Sequence, residues 1–365
     1  MEKIKILFYS HTIDYAGTWR SHERILLNLD KDYFDPYVVY NPNQNNNRLE
    51  YLKSKMDNDK IIPFIASKDK LGPSEGYPYV STNFDEIVKK YNFDILHFAR
   101  SGYFEWPFNK RLCPIQIETN IFGGRDGSKF LDYSVAICQT IANLRGKCDK
   151  IIYNPIPPVQ KEKNNNLKHE LSLNDTDIIF GRIGRPDNFD SISFDALYIL
   201  KNLGYNFKYL IIGACDNAKN KINELQLNNE CIMLETTSDD DFIHKFHNTI
   251  DVFLHYRSDG ECHSTAIGQA MSYGIPIVSH YAGFNGQLET INDGGFVAND
   301  KNSYCDYIIK LISDKDFYNK ISNNAKKQSE KFDQYLVVKE WENVYKELIN
   351  KNNIWITHKD MNNNF

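Results

Sequence analysis

The stretch 251–298, DVFLHYRSDGECHSTAIGQAMSYGIPIVSHYAGFNGQLETINDGGFVA, reads as an apolar strand, a glycine-containing loop, a helix, a Gly-x-Pro turn and a second buried strand. Ser264 or Thr265 is suited to cap a helix running to about Tyr273, because a hydroxyl there accepts from orphan backbone N–H groups. Those N–H groups and the helix dipole make an anion site fit for a phosphate or a sugar hydroxyl. Glu261 stands just before that site, and Gln269 lies about one and a half turns beyond Ser264, able to point back toward it.

The same rhythm extends in both directions. Upstream, the short apolar runs IKILFYS, PYVVY, IIPFIA, DILHFA, PIQIET and YSVAIC alternate with helical patterns such as WRSHERILLNL and NFDEIVKKY, the latter opened by Asn83, a residue suited to an N-cap. This alternation predicts a parallel sheet covered by helices, a Rossmann-like half. A lysine- and asparagine-rich stretch, VQKEKNNNLKHELSLND, interrupts it. Alternation then restarts with DIIFGRIGR, KYLIIGACD, ECIMLET, IDVFLHY, IPIVSHY and GGFVA.

We therefore expect an α/β chain of two Rossmann-like domains, 1–160 and 170–334, facing across a cleft at the carboxyl ends of their sheets. A last helix over 335–352, with Leu336, Trp341, Val344, Tyr345 and Leu348 along one face, is expected to cross back to the first domain.

Composition narrows the function classes. The chain has 365 residues, 41% hydrophobic and 25% charged, with a net charge of -5. That balance gives no general attraction to nucleic acid. A mean hydropathy of -0.53 argues against a transmembrane segment, while peripheral membrane contact stays open. The five-residue apolar run near the start is too short for a signal peptide, so a cytoplasmic location is expected. The seven cysteines are scattered without a C-x-x-C pair, which favours free thiols. No partner spacing makes Cys262 and His263 a zinc site. No G-x-G-x-x-G follows the first strand and no G-x4-G-K-[ST] occurs, which disfavours dinucleotide and P-loop enzymes.

The opening stretch resembles the signature region of GT-B glycosyltransferases of family 4, in which Glu-x7-Glu, Ala-Met and a Gly-x-Pro turn follow a strand. Here Glu261 takes the first glutamate, Gln269 the second, and Glu289 a later one. The resemblance implies that Glu261 contacts the donor sugar and that the second position holds the nucleotide ribose, for which a glutamine keeps both an acceptor and a donor. Cys262-His263-Ser264 replaces the more usual Gly-Phe-Gly, putting His263 beside the donor. In FGRIGRPDNFD, Arg182 matches the family's arginine on the donor diphosphate. Asp187 stands where its lysine would be, which leaves Arg185 as the nearest replacement cation. Gly213 resembles a strand-end glycine of the second domain.

In the first domain, Gly17 and Thr18 follow the first strand where relatives carry a glycine-rich turn. Glu118 and Asn120 lie where many relatives place a histidine, and no catalytic base is assigned there. Tyr103, Phe104 and Trp106 are positioned in sequence to stack on a sugar acceptor. The function so implied is retaining transfer, without a metal, from a nucleotide diphosphate sugar such as a UDP- or GDP-sugar to a hydroxyl of a glycan, glycolipid or other acceptor. The alternatives are a nucleotide-sugar-binding protein of weak or no turnover, and another GT-B-like enzyme such as an epimerase or a phosphorylase. The departures at Gln269 and Asp187 favour the first of these.

Overall fold

The computed structural model describes residues 2–10, 12–14, 17–67, 80–81, 83–100, 110–124, 129–146, 148–160, 165–185, 189–237 and 239–362, with the backbone alone at 66–67, 80–81, 100 and 353–362. Tyr103, Phe104, Trp106 and Asp187 lie outside these residues. The chain divides into two compact units, Met1–Pro155 with Gln334–Phe365, and Ile156–Asp333.

In the first unit, β1 (Ile4–Tyr9), α1 (Gly17–Asn28), β2 (Phe34–Tyr40), β3 (Ile61–Pro63), α2 (Phe84–Tyr91), β4 (Ile95–Arg100), β5 (Ile115–Asn120), β6 (Tyr133–Ala136), α3 (Gln139–Arg145) and β7 (Lys150–Ile151) follow in order. The strands form one parallel sheet in the order β3-β2-β1-β4-β5-β6-β7. Because side chains alternate along a strand, Ile6 and Phe8 enter the core on one face while Leu7 and Tyr9 enter the core on the other. Burial on both faces explains why β1 reads as a continuous apolar run. Two expectations are corrected. β3 covers half of the predicted run, since it is an edge strand ending in a proline. Asn83 makes no side-chain cap; its Oδ1 accepts from Ile65 N at 2.8 Å.

The second unit repeats the plan: β8 (Ile178–Ile183), α4 (Ile192–Asn202), β9 (Phe207–Ile212), α5 (Asp216–Glu224), β10 (Cys231–Leu234), α6 (Asp240–Thr249), β11 (Val252–Leu254), α7 (Thr265–Ser272), β12 (Ile277–His280), α8 (Gly286–Ile291), β13 (Gly295–Ala298), α9 (Lys301–Ser313) and α10 (Lys315–Ser329). Its sheet is parallel in the order β10-β9-β8-β11-β12-β13. Chain order reverses between β8 and β11, and in such sheets a crevice for ligands opens at the carboxyl ends of the two strands that flank the reversal.

The chain passes between the units at Pro155/Ile156, ahead of the lysine- and asparagine-rich stretch. The reason is that Leu167 and Leu173 of that stretch are buried in the second unit's core, where Leu167 N also donates to Thr249 Oγ1 at 2.8 Å. The return lies alongside: Ile156 N donates to Phe332 O at 2.7 Å. The final helix, α11 (Gln334–Asn362), belongs to the first unit. Val337, Val338, Trp341, Val344 and Tyr345 join the cluster of Phe8 and Leu26, while Leu336 falls off that face and is 58% exposed. Among the described residues no helix is long and apolar enough to cross a membrane. None of the seven cysteines is in a disulfide.

Candidate functional site

Two neighbouring strands of the second unit, β8 and β11, lead into Arg182 and into the loop that carries Glu261. Arg182, near the end of β8, is 3% exposed, and its guanidinium carbon lies 3.7 Å from the ring centre of Tyr256, just past β11. Such stacking suits a weakly hydrated guanidinium. Its Nε and Nη1 have no hydrogen-bond partner among the described residues. A buried cation with unspent donors is costly unless an anion completes it.

Close backbone approach makes room for this group. Gly184 turns beside the Arg182 guanidinium, where a Cβ would clash. Gly213, just past β9, has φ +81 and packs so near the Gly184 carbonyl that a side chain would collide with it. Arg185 is exposed at the same turn, near enough to help lower the pKa of Asp259.

Glu261 sits one short loop beyond β11. His255 Nε2 lies 3.4 Å from its Oε1, and Arg257 Nη1 donates to its Oε2 at 3.3 Å. Arg257 is itself forked onto Asp259, through Nε at 2.6 Å and Nη2 at 3.1 Å. His255 Nδ1 is 2.9 Å from Ser279 Oγ, and the His255 carbonyl accepts from Tyr304 Oη at 3.0 Å. Burial pushes the Glu261 carboxyl up, but its contacts with His255 and Arg257 outweigh this and hold it below the ordinary carboxylate value.

The loop is fixed by backbone pairing. Gly260–Glu261 forms a two-residue parallel ribbon with Phe284–Asn285. Gly260 has φ +78, and a Cβ there would strike the Phe284 carbonyl; one on Gly286 would strike the Cys262 carbonyl. Only glycine permits both the turn and the approach.

Ser264 caps α7, its Oγ accepting from Ile267 N at 3.4 Å, and Thr265 opens the helix half-buried. Gln269 is half-buried one and a half turns in. His263 is buried edge-on to Phe332, with ring centres 4.7 Å apart, and burial pushes its pKa down to about 4, so it is neutral at pH 7. Glu289 lies half-buried on α8, and its backbone carbonyl accepts from Gln328 Nε2 at 3.0 Å. Among the described residues no three or more His, Cys, Asp and Glu side chains gather as a metal site.

The acceptor-side candidates belong to the first unit. Gly17 and Thr18 are exposed at the start of α1. Asn120 is buried at the end of β5, and its carboxamide holds a turn: Gly123 N donates to its Oδ1 at 2.8 Å and its Nδ2 donates to Gly124 O at 3.0 Å. Glu118 is likewise engaged, accepting from Ser134 Oγ at 2.5 Å and Arg145 Nε at 3.1 Å. The sequence reading missed His255, Tyr256, Arg257 and Asp259. The available signal was their clustering within six residues of Glu261 immediately after a strand.

Residues 165–328 match the glycosyl transferases group 1 family. No curated protein sequence matches the chain significantly. A glycosyltransferase from Rickettsia africae superposes with a TM-score of 0.72 at 18% identity, covering 96% of this chain and 99% of that one. Anabaena Alr3699/HepE, solved with UDP and glucose, gives 0.71 at 15% identity, covering 94% and 100%. Sucrose-phosphate synthase from Thermosynechococcus elongatus gives 0.71 at 14% identity, covering 96% and 100%. At these identities the structural likenesses speak to the fold. The second unit thus contains the stretch that matches the glycosyl transferases group 1 family, and the chain as a whole has the GT-B glycosyltransferase fold.

Proposed function

We propose that the chain transfers a sugar from a nucleotide diphosphate sugar to an acceptor hydroxyl with retention of anomeric configuration. The observation that carries this reading is Arg182, a buried cation with two unspent N–H donors at the switch point of the second sheet. The ligand it calls for is anionic, and the capped start of α7 offers further N–H donors. Glu261 then meets hydroxyls of the donor sugar, Gln269 the ribose, and Arg185 the outer phosphate. His263 and Glu289 complete the donor side; Gly17, Thr18 and Asn120 belong to the acceptor side. Support for a uridine nucleotide comes from neighbours of the same fold solved with UDP-glucose and with UDP and GlcNAc.

In this reading the bond from the anomeric carbon to the diphosphate breaks as the acceptor oxygen adds to the same face, and the acceptor proton passes to the departing phosphate oxygen. Cations and helix-start N–H groups stabilise the charge that develops there. A thermal-shift screen of UDP, GDP, ADP and CMP with their common sugars finds the donor. A ligand at one hundred times its dissociation constant adds about 2.7 kcal/mol of apparent stability. The anomeric proton of the transfer product, followed by NMR, is expected to keep the donor's configuration. An inverted product rules out retention, and no shift with any nucleotide rules out the donor site.

A further inference from the structure

Glu261 is gripped from two sides, by His255 at the end of β11 and by Arg257 from the loop. At 3.4 and 3.3 Å neither contact is tight, so the stiffness of the carboxylate depends on how firmly each donor is held. Arg257 is fixed by the bidentate fork on Asp259 and by its own backbone N–H donating to His280 Nε2 at 3.2 Å. Each Glu261 oxygen keeps a lone pair for a substrate hydroxyl.

We propose that Arg257, braced by Asp259, is a positioning residue for Glu261, setting the direction of its carboxylate and keeping it ionised while the donor sugar is bound. This rests on Glu261 being the carboxylate that meets the donor. Of the charged and titratable groups around it, the cationic and imidazole neighbours favour the anion and one carboxylate opposes it. Arg257 favours the anion; Asp259 opposes it but is itself offset by Arg257 and Arg185. His255, just past β11, favours the anion as well. His263 on the same loop and His280 on β12 have lowered pKa values from burial, the latter against an opposing pull from Asp190. With Arg257 removed, burial and Asp259 push the Glu261 carboxyl upward and His255 is left to oppose them.

The test compares Glu261→Gln, Arg257→Gln, Arg257→Lys and Asp259→Asn. The assay uses whichever of UDP-glucose, UDP-N-acetylglucosamine, GDP-mannose and ADP-glucose gives the largest thermal shift, with donor hydrolysis and transfer both followed. Arg257→Gln is expected to lower kcat by about tenfold or more with a smaller change in KM, since a misaimed group costs turnover before binding. Its acid limb of kcat/KM should move to higher pH, Arg257→Lys should recover part of both effects, and Asp259→Asn should fall between. Melting temperatures should stay within a few degrees of wild type, because Asp259 is half exposed and Arg257 keeps part of its side chain in solvent. Wild-type turnover in Glu261→Gln overturns the reading of Glu261 itself. Collapse of Glu261→Gln beside unchanged Arg257→Gln and Asp259→Asn overturns this inference alone. So does a loss in Arg257→Gln that Lys does not rescue and that leaves the acid limb in place.

Discussion

Arg182 separates structural from functional demands at the scale of one side chain. Its guanidinium stacks on Tyr256 and has two buried donor nitrogens without acceptors among the described residues. A buried charge whose hydrogen-bond donors are unmet costs the fold a desolvation penalty that an apolar side chain of similar reach does not. Arg182→Met is therefore expected to melt at or above the wild-type temperature without ligand, and to lose most of the stabilisation that the best nucleotide gives wild type. A melting temperature several degrees lower would instead make Arg182 a part of the fold. Arg182 and Glu261 were legible in sequence because they stand at strand ends in a recognisable order. Arg257 and Asp259 were not, because an ion pair within a loop leaves no periodic trace, and its partners are set by the turn at Gly260.

Among elements, the ribbon of Gly260–Glu261 against Phe284–Asn285 is the joint that aims the site. Gly260→Ala meets both an unfavourable left-handed backbone and a collision with the Phe284 carbonyl, so the loop must move. We expect turnover to fall by about a hundredfold, the cost of an ångström-scale misplacement, with a smaller loss of stability. Near wild-type kcat in Gly260→Ala would mean that the ribbon does not set Glu261. The ribbon itself was illegible: two-residue pairings depend on tertiary approach rather than pattern. The longer strands were legible for the opposite reason, since burial on both faces leaves uninterrupted apolar runs such as Ile178–Phe180 and Leu210–Ile212. Ser264 as a cap was also legible, because the hydroxyl acts on the backbone of its own helix. Where tertiary contacts decide, as for Asn83 on Ile65 or Leu336 on α11, local reading misassigned the side chain.

At the scale of the molecule, both units bury histidines in neutral form. Burial pushes His22 down to about 3, and His247 and His263 down to about 4, with His97 also well below its ordinary value. The unfolded chain takes up protons on these groups below about pH 6.5 while the folded chain does not, so their stability is complete above that pH. It drains as pH falls toward the folded values. By pH 5.5 each such histidine costs roughly 1.4 kcal/mol, against a total that is commonly only about 5–15. No tryptophan lies between residues 156 and 333, and Trp19 and Trp341 are buried in the first unit's core, so fluorescence reports on the first unit while circular dichroism follows both. Urea midpoints by fluorescence should fall steadily from pH 7.5 to 5.5 through His22 and His97, and His22→Gln should flatten that fall. His247→Gln should flatten the dichroism response without changing the fluorescence one. A flat fluorescence midpoint across this range would show that the first unit admits protons to His22 and His97 without unfolding.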